Sequence, residues 1–274
     1  MKKLFIILSG LCVASMALFF MRQADNHADT KNPSQKAPSA EFRVGVTAGP
    51  HAVIMDFVKE EAAKQGLVLK VIEFNDFILP NAALDHGDVM ANSYQHKLFL
   101  DDQIKNRGYK LAVVAPSVVM PLGVYAFALK SLNDLKQGAT VLIPNDPTNG
   151  GRALLLLQKL GLLKLKENPL PSMLDIIENP KQLAIKELDA PTLPRAMVDA
   201  DIAVINTDWL FVAGLDPLKA LAKEDKDSPY ANVIVVRSGT ENDEDVKKFI
   251  TIYHSEPVRK FIESEFKGAV IPAF

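Results

Sequence analysis

Beyond residue 41 the hydrophobic pattern switches repeatedly between two periods. FRVGVT (42–47), LVLKVIEF (67–74), ATVLIP (139–144), LAIKEL (183–188), DIAVIN (201–206) and YANVIVVR (230–237) are short apolar runs bounded by turn residues, which predicts strands. Between them, HAVIMDFVKEEAAKQG (51–66), PNAALDHG (80–87), YQHKLFLDDQIKNRG (94–108) and RALLLLQKLG (152–161) carry apolar residues at helical spacing and stop at Gly, which predicts helices. A short strand over 88–92, a short helix over 193–198 and two C-terminal helices over 243–253 and 255–266 complete the pattern. The β-α-β-α rhythm predicts an α/β fold with largely parallel sheet. One run breaks it. LAVVAPSVVMPLGVYAFAL (111–129) is too long for one ordinary strand and is interrupted by Pro116 and Pro121, so it is predicted to cross between two lobes.

The first 41 residues follow a different logic. Lys2 and Lys3 precede LFIILSGLCVASMALFFM (4–21), a run without charge. As a helix it would measure ~27 Å, close to the hydrocarbon thickness of a bilayer. A basic start and an apolar run at the extreme terminus predict an export signal or anchor over 1–21. Its fates are retention as an anchor, cleavage after Ala17, or lipidation at Cys12. Leu11 and Ser9 are unusual neighbours for a lipidated Cys. All three fates place the rest of the chain outside the cytoplasmic membrane. Residues 22–41 are polar, contain Pro33 and Pro38 and lack periodicity, which predicts a flexible tether.

Composition narrows the function. With 31 Lys+Arg against 33 Asp+Glu the net charge is −2, which excludes a basic nucleic-acid surface as the main design. A hydrophobic fraction of 48% excludes a wholly disordered chain. The single Cys12 excludes an intrachain disulfide and any Cys-based zinc site. No Gly-x-Ser-x-Gly elbow or His-Glu-x-x-His is present, and the folded part has no Cys nucleophile, so neither an enzyme nor a cofactor is expected. His51, His86 and His96 match no metal spacing. Asp85 and Asp88 flank His86 in a Gly-ended turn that reads as solvated, and the charged run 223–227 reads as solvated surface.

Ligands of open α/β sheets sit beyond the carboxyl ends of strands. The candidate pocket loops are therefore 47–51, 75–81, 92–99, 144–152, 206–211 and 228–232. In PNDPTNGGR (144–152) a strand gives way to a helix. Its free N–H groups suit an anion, Thr148 or Asn149 suits a cap, and Gly150 and Gly151 would let a ligand approach the backbone. Arg152 adds a planar fork for a carboxylate; a plain capped helix with a surface Arg is the alternative. Tyr94, His96 and Phe99, with Phe77, are candidates for an apolar wall with a polar handle; Phe77 and Phe99 as ordinary core is the alternative. Asn206 closes one strand and Asn232 opens another, each a candidate polar contact or a turn residue.

VGVTAGPHA, IEFNDF, PNAAL, ANSYQHK, RGYKL, IPNDPTNGGRALLLLQK, LDIIENPK, AVINT, EDKDSPYAN and the terminal FKGAVIPAF resemble the methionine-binding lipoproteins of ABC importers, the NlpA/MetQ family. The resemblance runs from about residue 42 to the end. It implies a two-lobed periplasmic-binding-protein fold, with 42–121 and 232–274 in lobe 1 and 122–231 in lobe 2. It also implies capture of L-methionine or a close analogue and delivery to an ABC transporter permease. Arg152 would clamp the ligand carboxylate with help from Asn149. Asn206 and Asn232 would hold the zwitterion's polar groups, and Phe77, Tyr94, His96 and Phe99 would surround the side chain. Phe77 and Phe99 stand where the family often has Tyr, which implies a drier pocket. The ammonium finds no obvious carboxylate partner in these motifs. The alternatives are a membrane-tethered binding protein for another small amino acid derivative, and a ligand-holding chaperone or signalling role.

Overall fold

A computed structural model describes residues 41–225 and 228–274. The apolar run, Cys12 and the tether up to residue 40 lie outside the described residues.

The chain begins with β1 (Phe42–Thr47), α1 (Pro50–Lys64), β2 (Leu69–Phe74), α2 (Leu79–His86), β3 (Ala91–His96), α3 (Lys97–Arg107) and β4 (Leu111–Pro116). It continues through β5 (Val118–Val119), β6 (Gly123–Tyr125), β7 (Thr140–Pro144), α4 (Pro147–Lys159), β8 (Lys164–Leu165), β9 (Ile176–Glu178), β10 (Ala184–Leu188), α5 (Leu193–Ala196), β11 (Ile202–Ile205), α6 (Thr207–Val212) and β12 (Ala222–Lys223). It closes with β13 (Asn232–Arg237), α7 (Glu244–Tyr253), α8 (Glu256–Phe266) and β14 (Ile271–Pro272).

These elements build two lobes, each on a five-stranded sheet, in the orders β2-β1-β3-β13-β4 and β10-β7-β11-β6-β12. In the first, β1 is parallel to β2 and β3, and β13 enters antiparallel between β3 and β4. In the second, β7 is parallel to β10 and β11, and β6 runs antiparallel between β11 and β12. Central strands covered on both faces read as unbroken apolar runs rather than alternating ones, as in IAVI of β11. Val44, Val46, Ile54, Phe249, Tyr253 and Ile262 form part of one core, and Val124, Val141, Ile143, Leu154, Leu157 and Val204 part of another.

The run 111–129 does cross. It supplies β4 to the first sheet, pairs β5 with β14 and then supplies β6 to the second sheet. Pro121 stands between β5 and β6, where the chain makes no ladder bonds that a missing N–H would interrupt. A second passage joins β12 to β13.

Two local expectations change. Residues 94–96 belong to β3, and α3 starts only at Lys97. Apolar spacing extends the helix back to Tyr94, but β3 is paired with β1 and β13, and its polar side chains bond to one another. Asn92 Nδ2 donates to Asn81 Oδ1 at 2.9 Å, and Asn81 Nδ2 donates to Gln95 Oε1 at 2.7 Å. A strand reading ANSYQH is thus buried along its whole length because its amides satisfy each other. The second change is at 206–211, expected as loop, where α6 begins at Thr207.

Candidate ligand-binding site

All eight of the candidate residues Phe77, Tyr94, His96, Phe99, Asn149, Arg152, Asn206 and Asn232 line one cavity between the two sheets. The first sheet and its loops contribute Phe77, Tyr94, His96, Phe99 and Asn232. The second contributes Asn149, Arg152 and Asn206. Sequence reasoning passed over Gln95, Met120, Thr207 and Asp208, which share the lining.

The aromatic wall forms because strand-to-helix junctions from distant parts of the chain meet. The Phe77 ring lies 6.3 Å from Tyr94, 6.1 Å from Phe99 and 5.0 Å from Trp209. Trp209, the only tryptophan, is carried by the unexpected α6. Tyr94 donates its hydroxyl to the Phe77 carbonyl at 3.0 Å, fixing the loop after β2. Burial pushes the Tyr94 phenol well up, so it stays a neutral donor.

His96 ends β3 and caps α3. Its Nδ1 accepts from the Phe99 amide at 3.1 Å, which leaves the proton on Nε2, 3.4 Å from Asn149 Oδ1. Burial, then the Arg152 charge, pull its pKa down to about 3, so the ring is neutral. Asn149 Oδ1 also accepts from Asn206 Nδ2 at 2.9 Å. The carbonyl oxygen of the Asn206 side chain, buried, has no partner among the described residues.

The start of α4 departs from expectation. Asp146, rather than Thr148 or Asn149, is the cap, and its carboxylate accepts from the Asn149 amide at 2.9 Å. The Asn149 side-chain amide also donates to it, at 3.1 and 3.0 Å. A protein carboxylate therefore fills the place expected for a ligand anion, as the helix dipole favours. The two glycines serve packing. A Cβ at Gly150 would lie 2.8 Å from the Pro144 carbonyl oxygen, and one at Gly151 would lie 2.7 Å from that of Pro171. The backbone that approaches them is the protein's own.

Arg152 is not a bare fork either. Its Nε and Nη2 donate to the two oxygens of Glu224 at 2.7 and 2.5 Å, and Nη2 also donates to the Met120 carbonyl at 3.0 Å. The Tyr230 ring lies 4.4 Å from its Cζ. Among the described residues only Nη1 is left without a protein acceptor. Glu224 belongs to the run 223–227 that charge density alone marks as solvated, yet its side chain is 12% exposed. It accepts the Leu122 amide at 3.0 Å as well as the guanidinium, and these bonds offset its desolvation.

A second polar cluster includes Asn232 and Asp208 of the lining. Asn232 Nδ2 and His51 Nε2 are 3.1 Å apart, Thr47 donates its hydroxyl to Asp208 Oδ1 at 3.2 Å, and that oxygen is 3.8 Å from His51 Nε2. Burial lowers the His51 pKa to about 3 and raises that of Asp208 to about 7, the latter opposed by its own amide, Thr47 and Arg152. His86 is exposed at the end of α2, and no three potential ligands converge as a metal site among the described residues.

Comparisons with known proteins agree with this architecture. The NlpA lipoprotein family model matches residues 42–274. The D-methionine-binding lipoprotein MetQ of Salmonella typhi is 46% identical over 268 residues, 96% of this chain and 95% of the relative. MetQ of Escherichia coli K12 is 44% identical over the same shares. A solved nutrient-binding protein from Burkholderia cenocepacia bound to methionine superposes with a TM-score of 0.83 at 48% identity, covering 85% of this chain and all of the other. Matching its family model over the whole folded part, the chain belongs to the NlpA lipoprotein family.

Proposed function

We propose that this protein is an extracytoplasmic solute-binding protein that captures methionine and delivers it to an ABC importer permease. The observation that carries the reading is the single cavity in which one edge of Arg152, a set of buried amides and an aromatic wall converge. A carboxylate suits Arg152 Nη1, and a thioether suits the rings of Phe77, Tyr94 and Phe99, because polarizable sulfur packs well against aromatic edges. The relatives named for D-methionine and the neighbour solved with methionine support the same ligand.

In this reading residues 42–121 with 232–274 form one lobe and 122–231 the other. The passage around residues 116–121 acts as a hinge on which the lobes close over the ligand. Residues 1–21 serve as export signal or membrane anchor, with retention, cleavage after Ala17 and lipid at Cys12 as the alternatives. The role is binding rather than catalysis. The cavity's aliphatic hydroxyl, Thr207, is committed to the Pro121 carbonyl at 3.0 Å, and no Ser or Cys stands in the lining.

Titration calorimetry of the ligand-stripped protein with L- and D-methionine tests the proposal. One-to-one binding of at least one enantiomer is expected. A folded protein that binds neither overturns it.

A further inference from the structure

A buried amino acid zwitterion needs a partner for each charge, because an unpaired ion in a desolvated site is strongly disfavoured. Among the side chains lining the cavity, Arg152 is the only full cation and Asp208 the only carboxylate. Their circumstances differ. Arg152 is already neutralised by Glu224. Asp208 faces Thr47 from β1, His51 from α1 and, at longer range, Arg152 from α4. The first is a neutral hydroxyl. His51 is held neutral by burial, so it brings no charge at its 3.8 Å separation. The backbone amide of Asp208 is the other donor at its carboxylate, and no Lys or Arg pairs with it among the described residues. Close by in sequence, the buried Asn206 Oδ1 is an acceptor without a donor among the described residues. An acid without a cation and an acceptor without a donor thus stand together at the start of α6, in the lining of a cavity that Arg152 also lines.

We propose that Asp208 is the acidic anchor of this cavity, pairing with the ammonium of the bound amino acid and so selecting ligands with a free α-amino group. The inference rests on the methionine reading and adds the residue that reads the amino group. The motifs carried over from the family contain no such carboxylate. Burial by itself favours the protonated acid. An ammonium favours the carboxylate instead, so binding below neutrality transfers the Asp208 proton to solvent and forms the ion pair. Methionine affinity then falls as the pH drops below about 7.

The test uses the full chain in detergent, stripped of ligand and titrated with methionine and with its analogue bearing hydroxyl in place of amino. Asp208→Asn is expected to weaken methionine binding by about 30-fold or more, the lower end for stranding one member of a buried charge pair. The hydroxy analogue should change far less, which a general distortion of the site would not produce. Wild-type protein titrated at about pH 6 in two buffers of different ionisation enthalpy should release protons on binding. That measurement needs no variant. Wild-type affinity for methionine in Asp208→Asn, or binding without proton release, overturns the assignment while leaving the methionine reading intact. Absence of methionine binding by folded wild-type protein overturns both.

Discussion

Arg152 and Asp208 face the same cavity and are equally buried, each 4% exposed, yet the protein treats them in opposite ways. The arginine is surrounded by compensation: two oxygens of Glu224, the Met120 carbonyl and the face of Tyr230. The aspartate has its own amide, one hydroxyl and a neutral imidazole. Asp208 is pushed up to about 7, whereas Glu224, the other buried acid of this region, is tied to a guanidinium. A fully paired ion is a fixed part of the site. An incompletely paired one is left responsive to whatever enters the cavity.

Breaking the paired side should have the largest effect. Arg152→Ala strands Glu224 in a largely buried position, and unfolding by denaturant should show a loss of about 3–5 kcal/mol, with methionine binding lost alongside. An unchanged midpoint would mean that Glu224 turns to solvent and that the pairing is incidental.

The unpaired side should show itself in the pH dependence of stability. His51 and His96 have folded pKa values near 3, below the unfolded value of 6.5, so they contribute stability that is lost as pH falls through that window. Asp208 acts in the opposite sense. Its folded pKa of about 7 lies above the unfolded 3.8, so between these values the folded state binds the extra proton and acidification favours it. Asp208→Asn removes this opposing contribution. The variant should lose stability more steeply than wild type between about pH 6.5 and 4, by up to ~1.4 kcal/mol per pH unit. Parallel curves from denaturant titrations at several pH values would refute the opposition.

An exposed pair provides the smallest effect and the control. Lys97 and Asp101 lie 2.6 Å apart one turn along α3, with side chains 65% and 49% exposed. Lys97→Ala should change the unfolding free energy by less than about 0.5 kcal/mol, because water already solvates both charges. A larger loss would show that distance alone, rather than burial, governs these pairs.

The element alternation was legible in the sequence because central strands and helix faces carry periodic apolar residues, and the prolines at 116 and 121 marked the crossing. The aromatic and amide residues of the cavity were legible from their motifs at strand ends. Three features were not. Residues 94–96 read as the start of a helix, but pairing with β13 makes them strand. Glu224 sits in a charged run and reads as solvated, but the chain folds it against a guanidinium 72 residues away. Asp208 falls in a stretch that reads as loop, and nothing local tells that Thr47 and His51 lie against it.

What the sequence determined by itself was therefore the succession of elements and the residue types available at their ends. Those follow from local periodicity and turn chemistry, which act over a few residues. Tertiary structure alone decided which charges are paired, which helix terminus is already filled by Asp146, and which acceptors remain open. These depend on desolvation and on partners brought together from distant segments, and neither has a local signature in the chain.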